Sequence, residues 1–221
     1  RGAGTRRAGS RRGRARRRLS LQGLIVTAIR LIAGLGNPGP RYRHTRHNVG
    51  AEMVSALAAR FGITLAEQSR FKGLLGRGDI LGHDVRLIVP LTYMNLSGDA
   101  VGAVSRFYRI EPEEMLVAYD EMAFEPGVVR LKTGGGDNGH NGIRSVISSL
   151  GNARGFHRLR IGVGHPGDRN QVTAFLTSVR MPEDERALVA RGCDLSDSVL
   201  RLLLGGDLQK AMTELHTAGE D

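Results

Sequence analysis

The stretch Gly34-Leu35-Gly36-Asn37-Pro38-Gly39 decides how the rest of the chain is read, because it matches the dinucleotide-binding pattern G-x-G-x-x-G letter for letter. It follows a short apolar run, Ile29-Arg30-Leu31-Ile32-Ala33, of the kind that forms a buried strand. In a dinucleotide-binding turn the last glycine already lies inside a helix, so amphipathic spacing should begin at once. Here the chain continues Pro40-Arg41-Tyr42-Arg43-His44-Thr45-Arg46-His47-Asn48, polar and aperiodic. Apolar spacing starts only at Val49, Met53, Val54, Leu57 and Ala58. The acidic residue that should follow about 20 positions on has no candidate, since Glu52 falls too early. The glycines therefore shape a loop, and the residues of interest are those it carries: Asn37, Tyr42, His47 and Asn48.

Outward from this loop, 221 residues with 40% hydrophobic and 24% charged content read as one soluble globular domain with room for a core. No apolar stretch reaches the roughly 18 residues of a membrane helix. The single cysteine, Cys193, excludes a disulfide within these residues and any Cys-rich zinc site, and reads as a small buried residue of a late helix. The net charge of +10 divides unevenly: residues 1–20 hold nine arginines and no acid, leaving 23 Lys+Arg against 22 Asp+Glu elsewhere. Residues 1–27 thus form an Arg-rich extension expected to be disordered. Three readings compete for it: an organelle-targeting segment, a nucleic-acid-binding arm, or translated sequence ahead of the true start. The last is favoured, and no function is built on the extension. Within the body, residues 130–169 carry seven basic residues against only Asp137 and Asp168. Such a band suits a polyanionic partner, although a solvated surface with nothing bound has the same composition.

Hydrophobic periodicity predicts helices over 48–61, 97–109, 142–150, 170–177, 183–204 and 207–215. Strands are expected over 29–33, 73–80, 85–90, 115–119, 128–132 and 159–163. Strands alternating with helices imply an α/β fold, a single three-layer α/β/α domain over residues 28–218. The hairpin at 73–90 makes its central sheet mixed, though mostly parallel. Glycine-rich loops recur after several strands, and in an open α/β sheet such loops gather along one crevice.

Those loops carry Asn37, His47, Asn95, Asp120 and Asn141. A histidine with a carboxylate is the minimal general-base unit, the carboxylate fixing the ring's tautomer and stabilising the imidazolium. Asparagine amides offer both a donor and an acceptor, and so can grip carbonyls and a developing oxyanion. No serine stands in a G-x-S-x-G elbow and Cys193 is remote from the histidine-bearing loops, which leaves water as the nucleophile. From spacing alone the bland readings stay open: His47 as a capping residue, Asp120 as a strand-end turn residue, the asparagines as caps. The seven histidines show no zinc-ligand spacing, and His44 and His47 have no carboxylate near them in sequence.

Taken in order, Leu35–Gly39, Thr45-Arg46-His47-Asn48, Pro90–Gly98, Asp120-Glu121, Gly134-Gly135-Gly136 with Gly139-His140-Asn141-Gly142, and His157–Gly162 with His165-Pro166-Gly167 resemble bacterial-type peptidyl-tRNA hydrolase. The resemblance spans about residues 29–215. It implies a hydrolase that cleaves the ester between a peptide and the tRNA 3′ end, recycling tRNA without a cofactor or metal. It also implies roles: His47 as catalytic base, Asp120 as its supporting carboxylate, and Asn37, Asn95 and Asn141 as residues holding substrate and water. Tyr42 and Met94 would line the site, and Lys132 and Arg160 would contact tRNA phosphates. A monomer in the cytoplasm is implied as well. Neutral amides around the ester would favour an N-blocked peptide over the cationic amine of ordinary aminoacyl-tRNA. Tyr93, Tyr119 and the Asp137-Asn138 pair depart from the family's commoner residues without removing a catalytic group. A relative that binds RNA without turnover is the alternative reading.

Overall fold

The computed structural model describes residues 27–217 and, before them, two short strands, β1 (Arg18–Leu19) and β2 (Ile25–Val26), which pair antiparallel. The expected disorder of residues 1–27 otherwise lies outside the described residues.

The central sheet has seven strands in the order β4-β5-β6-β3-β7-β9-β8. They are β3 (Leu31–Gly34), β4 (Ala66–Gln68), β5 (Gly73–Ile80), β6 (His83–Pro90), β7 (Met115–Glu121), β8 (Val129–Thr133) and β9 (His157–Gly162). The strands β6, β3, β7 and β9 run parallel at the centre. Antiparallel pairings flank them, β4 and β5 beyond β6 and β8 beyond β9. The parallel character is thus concentrated where the Asn37 and His47 loops meet Asp120, which the structure places within β7 rather than on a loop after it.

Alternation along the strands divides the core in two. Ile32, Leu116 and Ala118 face α1 (Val49–Arg60), α5 (Glu183–Cys193), α6 (Asp197–Gly205) and α7 (Leu208–Thr217). Leu31, Ala33, Met115, Val117 and Tyr119 face α2 (Ser97–Tyr108) and α3 (Asn141–Ser149). The three-layer α/β/α architecture follows, with α4 (Val172–Thr177) contacting the short helix that holds His47. Among the described residues no helix is long and apolar enough to cross a membrane.

Two differences from the sequence reading have clear causes. The helix expected over 183–204 is two, because Asp194 leaves helical geometry and Ser196 caps a new start by accepting the Val199 N–H. The strand β4 has three exposed residues and no apolar alternation, so only its pairing with β5 defines it.

The opening loop is not a phosphate cradle. At the start of α1 the Ala51 N–H is taken by the Leu35 carbonyl at 2.9 Å, so this end of the helix is occupied by the protein itself. The close approach is steric in origin: a Cβ on Gly50 would lie 2.2 Å from the Ala118 carbonyl oxygen, and one on Gly34 2.3 Å from that of Gly50. Glycine at both positions lets α1 press against the ends of β3 and β7, which carries His47 to Asp120.

Candidate active site

His47 sits in a 3-10 turn, Arg46–Asn48, that leads directly into α1. Asp120 is near the end of β7, on the same sheet face as Leu116 and Ala118, and therefore points toward that turn. His47 is 8% and Asp120 3% exposed. The ring nitrogen Nδ1 of His47 lies 2.9 Å from both carboxylate oxygens. A carboxylate only accepts, so Nδ1 carries the proton and donates it, leaving the Nε2 lone pair of the neutral ring free. Burial opposes the imidazolium, but the Asp120 charge and hydrogen bond outweigh it and raise the His47 pKa above the ordinary value of 6.5. Burial would likewise raise Asp120, yet the two imidazoles that face it hold it well below the usual carboxylate range.

The second imidazole is His140, to which the sequence reading assigns no role. Its Nε2 lies 2.9 Å from Asp120 Oδ1, and its Nδ1 accepts the Ile143 N–H at 3.2 Å as the N-cap of α3. Both nitrogens are thereby committed, one as donor and one as acceptor. His140 also packs edge-on against Tyr119, with ring centroids 4.9 Å apart. Its sequence signals were its place between Gly139 and a predicted helix start and within the Gly139–Gly142 motif, and neither says anything about Asp120.

Asn37 is clasped from two sides. Its backbone N–H donates to Asn48 Oδ1 at 2.8 Å, and its carbonyl accepts from Asn48 Nδ2 at 2.9 Å. Its side-chain oxygen accepts the Met94 N–H at 2.7 Å, which leaves the Nδ2 group as a free donor. Met94 is buried, and its sulfur fills the space beside Gly142 at the start of α3. Contact through Met94 therefore joins the loop carrying Asn37 to the first turn of α3, where Asn141 stands. Asn95 is exposed in the 3-10 turn Met94–Leu96. Asn141 is exposed too, its Oδ1 accepting from Arg144 at 3.0 Å. Tyr42 is half-buried and meets the exposed Tyr93 edge-on at 6.4 Å.

The two basic candidates differ. Lys132 is exposed on β8, the edge strand. Arg160 on β9 is held by Glu121 Oε2 through Nε and Nη2, at 3.0 and 2.8 Å. Both histidines of the loop do have carboxylate partners: Asp120, brought from 73 residues away, for His47, and Glu52, only eight residues on, for His44 at 3.3 Å. Ligand atoms of His47, Asp120 and His140 lie within 4.8 Å of one another, close enough to surround a metal ion. As arranged, however, the ring nitrogens facing Asp120 are proton donors rather than converging lone pairs. Cys193 is half-buried at the end of α5, and burial followed by the Glu52 charge pushes its thiol up to about 12, far from a thiolate nucleophile at neutral pH.

The mixed α/β sheet places a buried His–Asp pair at its parallel strand ends, the general-base unit that hydrolytic enzymes use. The pattern of the family described as Peptidyl-tRNA hydrolase matches residues 31–221. A peptidyl-tRNA hydrolase of Pseudomonas paraeruginosa is 48% identical over 192 residues, which are 87% of this chain and 98% of that protein. One from Shewanella sediminis is 49% identical over the same lengths. The crystal structure of peptidyl-tRNA hydrolase from Acinetobacter baumannii matches with a TM-score of 0.81 at 47% identity, covering 85% of this chain and 94% of that one. The chain belongs to the peptidyl-tRNA hydrolase family and is a carboxylic ester hydrolase.

Proposed function

We propose that the protein hydrolyses the ester of peptidyl-tRNA by general-base activation of water at His47 Nε2. The observation that carries this is the buried contact of His47 Nδ1 with both Asp120 oxygens, at 2.9 Å each, which leaves Nε2 as the one uncommitted base of the cluster. As water attacks the ester carbonyl carbon, His47 takes its proton and Asp120 stabilises the imidazolium. The tetrahedral intermediate then collapses, and the proton passes to the departing ribose oxygen, giving free tRNA and a peptide carboxylate. His140 holds Asp120 Oδ1 in place but has no free nitrogen with which to act as the base.

In this reading the Asn37 Nδ2 group donates to the substrate carbonyl, with its orientation fixed by the Met94 N–H. Asn95 and Asn141 position the peptide and the water, and Tyr42 and Met94 line the approach of the tRNA 3′ end. Lys132 meets tRNA phosphates, and Arg160 joins it on exchanging part of its contact with Glu121. One chain supplies every residue named, which supports action as a monomer, in the cytoplasm where peptidyl-tRNA arises.

The test is peptide release from N-acetylated aminoacyl-tRNA by the wild type and by His47→Ala. Turnover should fall by about 10²–10⁴-fold in the variant, the usual contribution of a general base, while tRNA binding persists. RNA binding with no turnover in the wild type would establish the silent-relative reading instead.

A further inference from the structure

Arg158 is 2% exposed and heads the large, fully buried side chains of the described residues. It stands on β9, paired in register with Lys132 of the edge strand β8. Arg160, two residues on, is taken by Glu121; Arg158 has no carboxylate partner among the described residues. A buried charge without a counter-ion is expensive, and is kept only where other groups satisfy it. Its two terminal nitrogens donate to the carbonyls of Gly136 and Gly135, its guanidinium lies 4.7 Å from the Phe156 ring centroid, and its buried Nε is unpartnered.

Those two carbonyl contacts fix the direction of the peptides that contain them. No peptide bond among the described residues is cis, and in a trans peptide the carbonyl and the following N–H point to opposite sides. Turning the Gly135 carbonyl inward therefore aims the Gly136 N–H outward, and the Gly136 carbonyl does the same for the Asp137 N–H. Neither amide has an acceptor among the described residues. The turn needs glycine, since Gly135 has φ 108, a conformation that residues with a Cβ avoid. The nearest atom to a Cβ placed on Gly135 would be Lys132 Nζ, at 3.3 Å. The acid of this loop is already occupied: Asp137 Oδ1 accepts from Gly139 N–H at 2.8 Å and from Arg144 at 3.1 Å. Successive outward N–H groups beside an ammonium that has no carboxylate partner among the described residues make an anion-binding concavity.

We propose that Arg158 is a positioning residue that draws these carbonyls inward, so that the Gly136 and Asp137 amides and the Lys132 ammonium together bind a phosphate of the tRNA substrate. The proposal rests on peptidyl-tRNA being the substrate, and gives the buried guanidinium its counter-ion at one remove, through two peptides.

Titration of ¹⁵N-labelled wild-type protein with inorganic phosphate, at ionic strength balanced with chloride, should shift the Gly136 and Asp137 amide resonances first. The Lys132→Ala variant should show a weaker response. In kinetics, Arg158→Met and Arg158→Lys should each raise KM for N-acetylaminoacyl-tRNA about tenfold, the worth of one charge-assisted hydrogen bond. They should lower the salt slope of kcat/KM by about one and leave kcat nearly unchanged. Hydrolysis of N-acetylaminoacyl-adenosine, which lacks phosphate, should not change. Equal losses on both substrates would make Arg158 a support for His140 and Asn141 and overturn the proposal, as would amides unmoved by phosphate. If the Arg158 variants do not fold, the wild-type titration still decides. A wild type without turnover would defeat the substrate reading instead, which the phosphate titration does not depend on.

Discussion

Asp120 accepts hydrogen bonds from two imidazoles, and only His47 keeps a ring nitrogen free for chemistry. The base works when neutral, so kcat/KM should rise with pH through a His47 pKa above 6.5. The same shift has a stability consequence: the fold favours the imidazolium, a stabilisation fully present below 6.5 and lost as pH rises through the raised value. Replacing Asp120→Asn removes the charge that raises the pKa and leaves burial unopposed. The acidic limb of the pH–rate profile should therefore move to lower pH, even as kcat falls because the tautomer is no longer held. A limb that stayed in place or moved upward would show that Asp120 does not set the basicity of His47. The partnership itself was legible as a type of chemistry, a histidine and a carboxylate on loops after different strands. That His140 shares the carboxylate was not, because a cap residue of α3 reaches Asp120 only once the helix has docked.

At the scale of elements, catalysis depends on how closely α1 approaches the sheet. The apolar spacing of Val49, Met53, Val54 and Leu57 made the helix readable, and the glycine loop marked its late start. The purpose of the glycines was hidden, since it lies in contacts between segments distant in sequence. Gly50 is the sharpest case: a Cβ there would stand 2.2 Å from the Ala118 carbonyl oxygen, which belongs to backbone and cannot swing aside. Gly50→Ala should cost about 1–3 kcal/mol, as overpacking of a tight site does. It should also depress kcat by lifting the His47 turn away from Asp120. Urea unfolding and single-turnover rates measure the two effects, and Ser55→Ala on the exposed face of the same helix is the control. A destabilised variant with unaltered chemistry would separate helix packing from the placement of His47. The break between α5 and α6 shows the converse: Ser196 and Asp197 are an ordinary cap and first-turn acid, but helical character on both sides merged the two helices in the sequence reading.

For the whole molecule, the distribution of charge separates binding from chemistry. Nine of the 32 basic residues lie within residues 1–20, and the body has nearly equal numbers of each sign. The family pattern starts at residue 31 and the alignable relatives cover 87% of this chain, so the arginine-rich segment is not shared by the part that carries the site. The three-layer fold was readable from alternating periodicities alone, while the role of this segment is not, because charge alone specifies a class of partner and no position. Its physical effect can be stated: binding to RNA releases about one counter-ion per phosphate neutralised, and affinity then falls steeply with salt. A chain beginning at residue 27 should keep its kcat, because every residue named in the site lies beyond that point. Its affinity for tRNA should fall at low salt, and the slope of log affinity against log salt should become shallower. Fluorescence anisotropy with deacylated tRNA between about 50 and 200 mM salt covers the range in which such contacts are lost. Equal slopes for the two chains would mean that the arginines do not touch RNA, and would leave recognition to the Lys132 face of the sheet.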